Sequence, residues 1–205
     1  MNIRSLNIAP RAGLGFGLLA LMVFALGAFA LLQMSNMRAQ SDEVDNNWLP
    51  SVMAVGEMSQ DMLRLRALTM RLLLNRDPKA LEQNVAKLDE LRSGLSEAQQ
   101  RYDGLIVLPE ERVLFERSKG TEHKYLELQA QVLQLSAHNR VAEAATILND
   151  QMSPLADEIA ATLRELVELN KQNAGLATEA ARLVFKQSRL WVAVMIAMAA
   201  LITVG

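Results

Sequence analysis

The chain has 205 residues, a formal net charge of −2, 51% hydrophobic residues and no cysteine. Those figures exclude a disulfide framework and thiolate metal sites, and they offer nucleic acid no general attraction. Only five prolines and 4% aromatic residues, in a chain rich in Ala, Leu, Glu and Gln, point to an all-helical protein.

Residues 1–11 carry Arg4 and Arg11 and no acid, so they read as a cytoplasmic tail. From Ala12 to Met37 no residue is charged. A bilayer core needs about 20 apolar residues, so 12–34 are assigned to a first transmembrane helix. Asp42, Glu43 and Asp45 follow Arg38, and the positive-inside rule places the next segment outside the cytoplasm. Ala28-Phe29-Ala30 resembles a signal-peptidase site, but the run exceeds the ~7–15 residues of a signal peptide. An uncleaved anchor is the better reading. Gly13 and Gly17 form a small-xxx-small pair suited to helix contact in the membrane.

Residues 35–189 are expected to form a periplasmic sensor domain. A helix from about Ser35 to Arg76 is interrupted only by Pro50, which predicts a kink or short break. Asp77-Pro78 reads as a cap and a first-turn proline. The second helix repeats Leu81, Val85, Leu88, Leu95 and Tyr102, and Gly104 and Pro109 bracket a turn. The third carries Leu114, Thr121, Tyr125, Leu128, Val132 and Leu135. His138-Asn139 marks a break, followed by a short piece from Val141 to Leu148. Ser153-Pro154 reads as another cap, opening a last helix with a seam of Leu155, Ile159, Thr162, Leu166, Leu169, Asn173, Leu176, Ala180 and Leu183. Thr162 and Asn173 would tune register there. The fold expected is an antiparallel up-down-up-down four-helix bundle flanked by two transmembrane helices. Lys186 and Arg189 precede the second apolar run, residues 190–205. That run is still apolar at its last residue, so the sequence reads as cut within this membrane helix.

The stretch from Met62 to Asn75 organises the rest. Met62, Leu65, Thr69 and Leu72 fall on one stripe of a helix. Arg66 sits at its edge, and Arg71, five residues on, points roughly 140° away. Leu63, Leu68, Met70, Leu73 and Leu74 spread apolar surface around the remaining circumference, which predicts a second buried face at a subunit contact. Two copies side by side bring Arg66 of one toward Arg71 of the other. A guanidinium at such a seam needs an anion, and it binds carboxylates in two-pronged fashion. The plainer alternative is that these arginines snorkel to solvent or pair with Asp61 and Glu57 on their own helix.

Catalytic and cofactor patterns are missing. The two histidines, His123 and His138, have no zinc spacing; no serine sits in a nucleophile elbow; no Gly-rich loop joins a strand to a helix. The chain reads as no enzyme, with no cofactor and no metal.

This layout resembles the amino-terminal half of a methyl-accepting chemotaxis receptor with a four-helix-bundle sensor. In the aspartate- and serine-receptor branch of that family, the first long helix carries arginines five and nine residues apart that hold ligand carboxylates across the dimer interface. Arg66 and Arg71 match the five-residue pair, and Asn75 stands at the third place, which leaves room for a bulkier or less charged ligand. By position, Asn149, Gln151 and Ser153 would supply the polar groups at the start of the last helix, and Arg64, seven residues before Arg71, could serve the same pocket. The resemblance implies a multi-pass inner-membrane homodimer that binds a small organic acid in the periplasm. It also implies a cytoplasmic part, absent here, that engages an adaptor and a histidine kinase. A histidine kinase or cyclase output on the same sensor, or a tethered bundle that binds a protein partner, are the alternatives.

Overall fold

The computed structural model describes residues 8–74 and 78–204. In order they form α1 (Ile8–Glu43), a π-helical turn (Val44–Trp48), α2 (Leu49–Leu74), α3 (Pro78–Asp103), α4 (Pro109–Ala137), α5 (Val141–Ile147), a second π turn (Leu148–Met152) and α6 (Ser153–Val204). Among the described residues there is no strand. Asn75, Arg76 and Asp77 lie outside the described residues, and so does the cap expected at Asp77. The chain divides into two compact units, Asp45–Ala174 and the paired ends Met1–Val44 and Gly175–Gly205.

The unit Asp45–Ala174 is the four-helix bundle, built on α2, α3, α4 and the first part of α6. Its core follows the heptad logic of the sequence. On α2, Met62, Leu65, Thr69 and Leu72 are all buried. On α3, Leu88, Leu95 and Tyr102 are buried, whereas Val85 is exposed. Thr121, Tyr125 and Val132 of α4 are buried, and Phe115 joins them; its ring meets Tyr102 edge-on with centroids 5.3 Å apart.

The last helix departs from the expected seam. Ile159, Thr162 and Leu166 are buried, but the stripe then passes to Asn170 and Ala177, leaving Leu176 and Leu183 exposed. Thr162, Leu166 and Asn170 are spaced four and four, a stutter that shifts the seam by one residue. Asn170 is accommodated because its Nδ2 donates to the Tyr102 hydroxyl and to the Leu166 carbonyl.

Both interior prolines follow a π turn. Pro50 comes just after Val44–Trp48, and Pro154 just after Leu148–Met152. A proline lacks an N–H and its ring clashes with the carbonyl four residues back; a π turn widens the ladder at that point. Ser153 is therefore not the predicted N-cap: its φ of −59° and ψ of −47° are helical, because the chain enters α6 already coiled. Asn139, with φ 62°, supplies the left-handed residue that ends α4.

Glu111 locks the α3–α4 turn. Fully buried, it accepts hydrogen bonds from the Val107 and Leu108 N–H groups at 3.1 and 3.0 Å and from the Tyr102 hydroxyl at 3.3 Å. Burial, opposed by the Asn170 contact, pushes the Tyr102 hydroxyl well above the usual tyrosine range. Asn47 Nδ2 fastens the same turn to the π turn before α2 through the Leu105 carbonyl at 2.7 Å.

The paired ends are apolar outside. Phe16, Phe24 and Leu31 of α1 and Leu190, Trp191 and Ile196 of α6 are exposed. Met22, Val23 and Leu26 line a cleft of about 230 Å³ with Met195 and Ile196. Among the described residues, one helical stretch, within Ala20–Leu74, has a segment long and apolar enough to cross a membrane.

Replacing Glu111 by Ala leaves a buried tyrosine hydroxyl and two half-buried backbone donors without their acceptor. Each unmet buried group costs about 1–3 kcal/mol, so Glu111→Ala should lower bundle stability by roughly 3 kcal/mol. Urea unfolding followed by circular dichroism measures this; an unchanged midpoint would show that the turn is not locked by this side chain.

Candidate functional site

The arginines of α2 separate into two environments, as a helix step of about 100° per residue requires. Arg66 faces α6. Its Nη1 donates to Asp157 Oδ1 at 2.9 Å and its Nη2 to Ser153 Oγ at 3.3 Å. Tyr125, Met70, Leu148 and Met152 close around this corner and leave a cavity of only about 10 Å³. Arg66 thus does not pair with Glu57 or Asp61. Glu57 instead meets Arg101 of α3.

Arg64 and Arg71 face α3. Together with Lys87 and Glu90 of α3 they rim an open cleft of about 460 Å³, floored by Ala67, Leu68 and Leu91. Arg64 is neutralised by Asp61 on its own helix at 3.4 Å. Arg71 and Lys87 make no ion pair with any described residue.

The structure therefore joins Arg66 with Ser153, and Arg64 with Arg71, in different corners of one subunit. Asn149 and Gln151 are exposed on the second π turn and hydrogen-bond to neither group. Asn75 lies outside the described residues.

The outer surface of α2 carries a further pattern. Leu49, Met53, Gly56, Gln60, Leu63, Ala67, Met70 and Leu74 are spaced alternately four and three, and every one is exposed. Leu63 is 60% and Leu74 75% accessible. A Cβ added at Gly56 would meet nothing within 4 Å. This is a coiled-coil stripe, with Gln60 its one polar member, on the side of α2 turned away from its own core.

Residues 5–185 match the profile of a family described as a four helix bundle sensory module for signal transduction. The chain belongs to this family. Over 199 residues, 97% of its length, it is 20% identical to a protein of Bacillus subtilis (strain 168) named as a putative sensory transducer protein, YvaQ. It spans 35% of that relative's length. The module is one of sensing and signal transduction and is not an enzyme family. With an apolar helix near its amino terminus, the chain fits a membrane protein.

Lys87 and Glu90 carry no sequence signal for this place. On α3 they look like solvated surface charges, and only the antiparallel packing of α3 on α2 brings them to the arginines. In sequence Asp157 is no more than a favourable charge at a helix start, a role lost once α6 is entered from a π turn.

Arg66 and Asp157 are 40% and 72% exposed, so their attraction is screened. A double-mutant cycle on Arg66→Ala and Asp157→Ala, read by urea unfolding, should give a coupling of no more than about 1 kcal/mol. A coupling several times larger would mean that the pair is a fixed strut that no ligand can exchange.

Proposed function

We propose that the chain is the sensing region of a membrane-spanning chemoreceptor that binds a small carboxylate outside the cytoplasm. Two copies pair in parallel along the outer stripe of α2, residues 12–34 and 190–205 cross the inner membrane, and 35–189 lie in the periplasm. The single observation that carries this reading is where the arginines stand relative to that stripe. Arg66 directly precedes Ala67, and Arg71 directly follows Met70. In a parallel coiled coil such flanking positions meet five residues apart across the seam. Arg66 of one subunit then faces Arg71 of the partner subunit.

Two like charges at about 6 Å repel by roughly 3 kcal/mol at an effective dielectric near 20. Opposed arginines are an odd choice for a dimer unless an anion completes them. A carboxylate does so, since each guanidinium offers two parallel donors.

Signalling follows from the other commitment of Arg66. A carboxylate at the seam competes with Asp157 for the same guanidinium. Asp157 sits at the start of the second turn of α6, a helix that runs unbroken from Ser153 to Val204. Freeing that turn changes the balance between two packings of α6 on α2. The ligand shifts this balance only by its difference in affinity for the two. In the whole protein, the output would be a cytoplasmic part that recruits an adaptor and a histidine kinase.

Mixed dimers provide the test. For a ligand bound at micromolar affinity, Arg71→Ala should weaken binding by about tenfold to a hundredfold, and Arg71→Lys should recover only part of the loss. A dimer with Arg66→Ala in one subunit and Arg71→Ala in the other keeps one intact pocket. Calorimetry against a library of organic acids should find near wild-type affinity at about half its sites. If both homodimeric variants bind as tightly as wild type, the seam holds no ligand.

A further inference from the structure

The cleft between α2 and α3 holds more than the seam requires. Its rim gathers three cations from two helices against one carboxylate. Arg64 has its own counter-ion in Asp61, whereas Arg71 and Lys87 pair with no described residue. The register of the two helices is set where Asp61 meets Gly94, whose added Cβ would lie 3.2 Å from Asp61 Oδ2. Each step up α2 is a step down α3, so Lys87 lies opposite Leu68, one turn from Arg71. The floor below them, Leu68 and Leu91, is apolar. Uncompensated like charges gathered over an apolar floor are stabilised when an anion enters between them. Arg71 belongs to both places: it flanks the α2 stripe on one side and rims the cleft on the other.

Resting on the carboxylate site at the seam, we propose that α3 supplies a second pole to it. Lys87 and Arg71 hold a second carboxylate within the cleft, the hydrocarbon body of the ligand lies on Leu68 and Leu91, and the ligand is a dicarboxylate. The first carboxylate bridges the seam between Arg66 of one subunit and Arg71 of the partner subunit. Lys87 has no part in the seam, so its removal separates the two poles.

The whole 205-residue chain in lipid nanodiscs is titrated calorimetrically with diacids from malonate to pimelate, with the phthalate isomers, and with the monomethyl ester of each. At least one diacid should bind about tenfold or more tighter than its monoester, the usual value of one charge-assisted contact. Lys87→Gln should abolish that preference and leave monoester binding unchanged. Arg66→Gln should weaken diacid and monoester alike. If Lys87→Gln leaves the diacid preference intact, or if wild type binds esters as tightly as diacids, α3 contributes no second pole; the Arg66→Gln loss then still upholds the seam site. If no member of any pair binds, this inference falls together with the carboxylate reading.

Discussion

Helix α2 has two apolar faces separated by a narrow charged border, and one bundle can cover only one of them. The inner face, from Val55 through Met58, Leu65 and Leu72, lies at the centre of the core. The outer face repeats Leu63, Ala67, Met70 and Leu74 at coiled-coil spacing and is bare. Burying apolar area is worth roughly 25 cal/mol per Å², so a contiguous stripe of this kind has a standing tendency to pair. A second copy offers a stripe of the same period, which is why the proposed dimer follows from the one helix rather than from the bundle as a whole.

The charged border then acquires its meaning from geometry. Arg66 on one side is occupied by Asp157 and Ser153 of α6, while Arg71 on the other looks into an open cleft. The family assignment, sensing and signal transduction, asks for a place where a stimulus alters helix packing. The Arg66–Asp157 pair suits this because it is exposed, hence screened, and attached near the start of the long α6. Deeper polar contacts do not suit it. Gln129, fully buried, donates to Thr69 Oγ1 at 2.6 Å and accepts from Arg92 at 2.6 Å, which fixes the register of α4 between α2 and α3.

The fold is legible in the sequence because heptad spacing is a local property. The α2 stripe of Met62, Leu65, Thr69 and Leu72 and the breaks at Gly104–Pro109 and His138–Asn139 stand in the structure where the sequence puts them. What fails needs tertiary information. Leu169 and Leu176 look better core residues than Asn170, and only the Tyr102 hydroxyl on α3 makes Asn170 an acceptable one. Ser153-Pro154 has the composition of a helix start, yet the π turn before it removes the need for a cap. At the candidate site the arginines stand out because they interrupt an apolar helix. Lys87, Glu90 and Asp157 do not, since each sits on a face that is charged in any case and acquires a role only through its neighbour on another helix.

The proposed dimer sets positive charges opposite each other at its seam, and that can be measured without knowing the ligand. The dimer dissociation constant of the chain, in detergent and free of organic acids, is determined by sedimentation equilibrium across a range of sodium chloride concentrations. The screening length falls from about 10 Å at 0.1 M salt to about 3 Å at 1 M, below the separation of the opposed arginines, so the wild-type dimer should tighten as salt rises toward 1 M. Arg71→Gln should dimerise more tightly than wild type at low salt and respond little to salt. A wild-type dimer that loosens with salt, or an Arg71→Gln dimer no tighter than wild type, would mean that the arginines do not face each other across the seam.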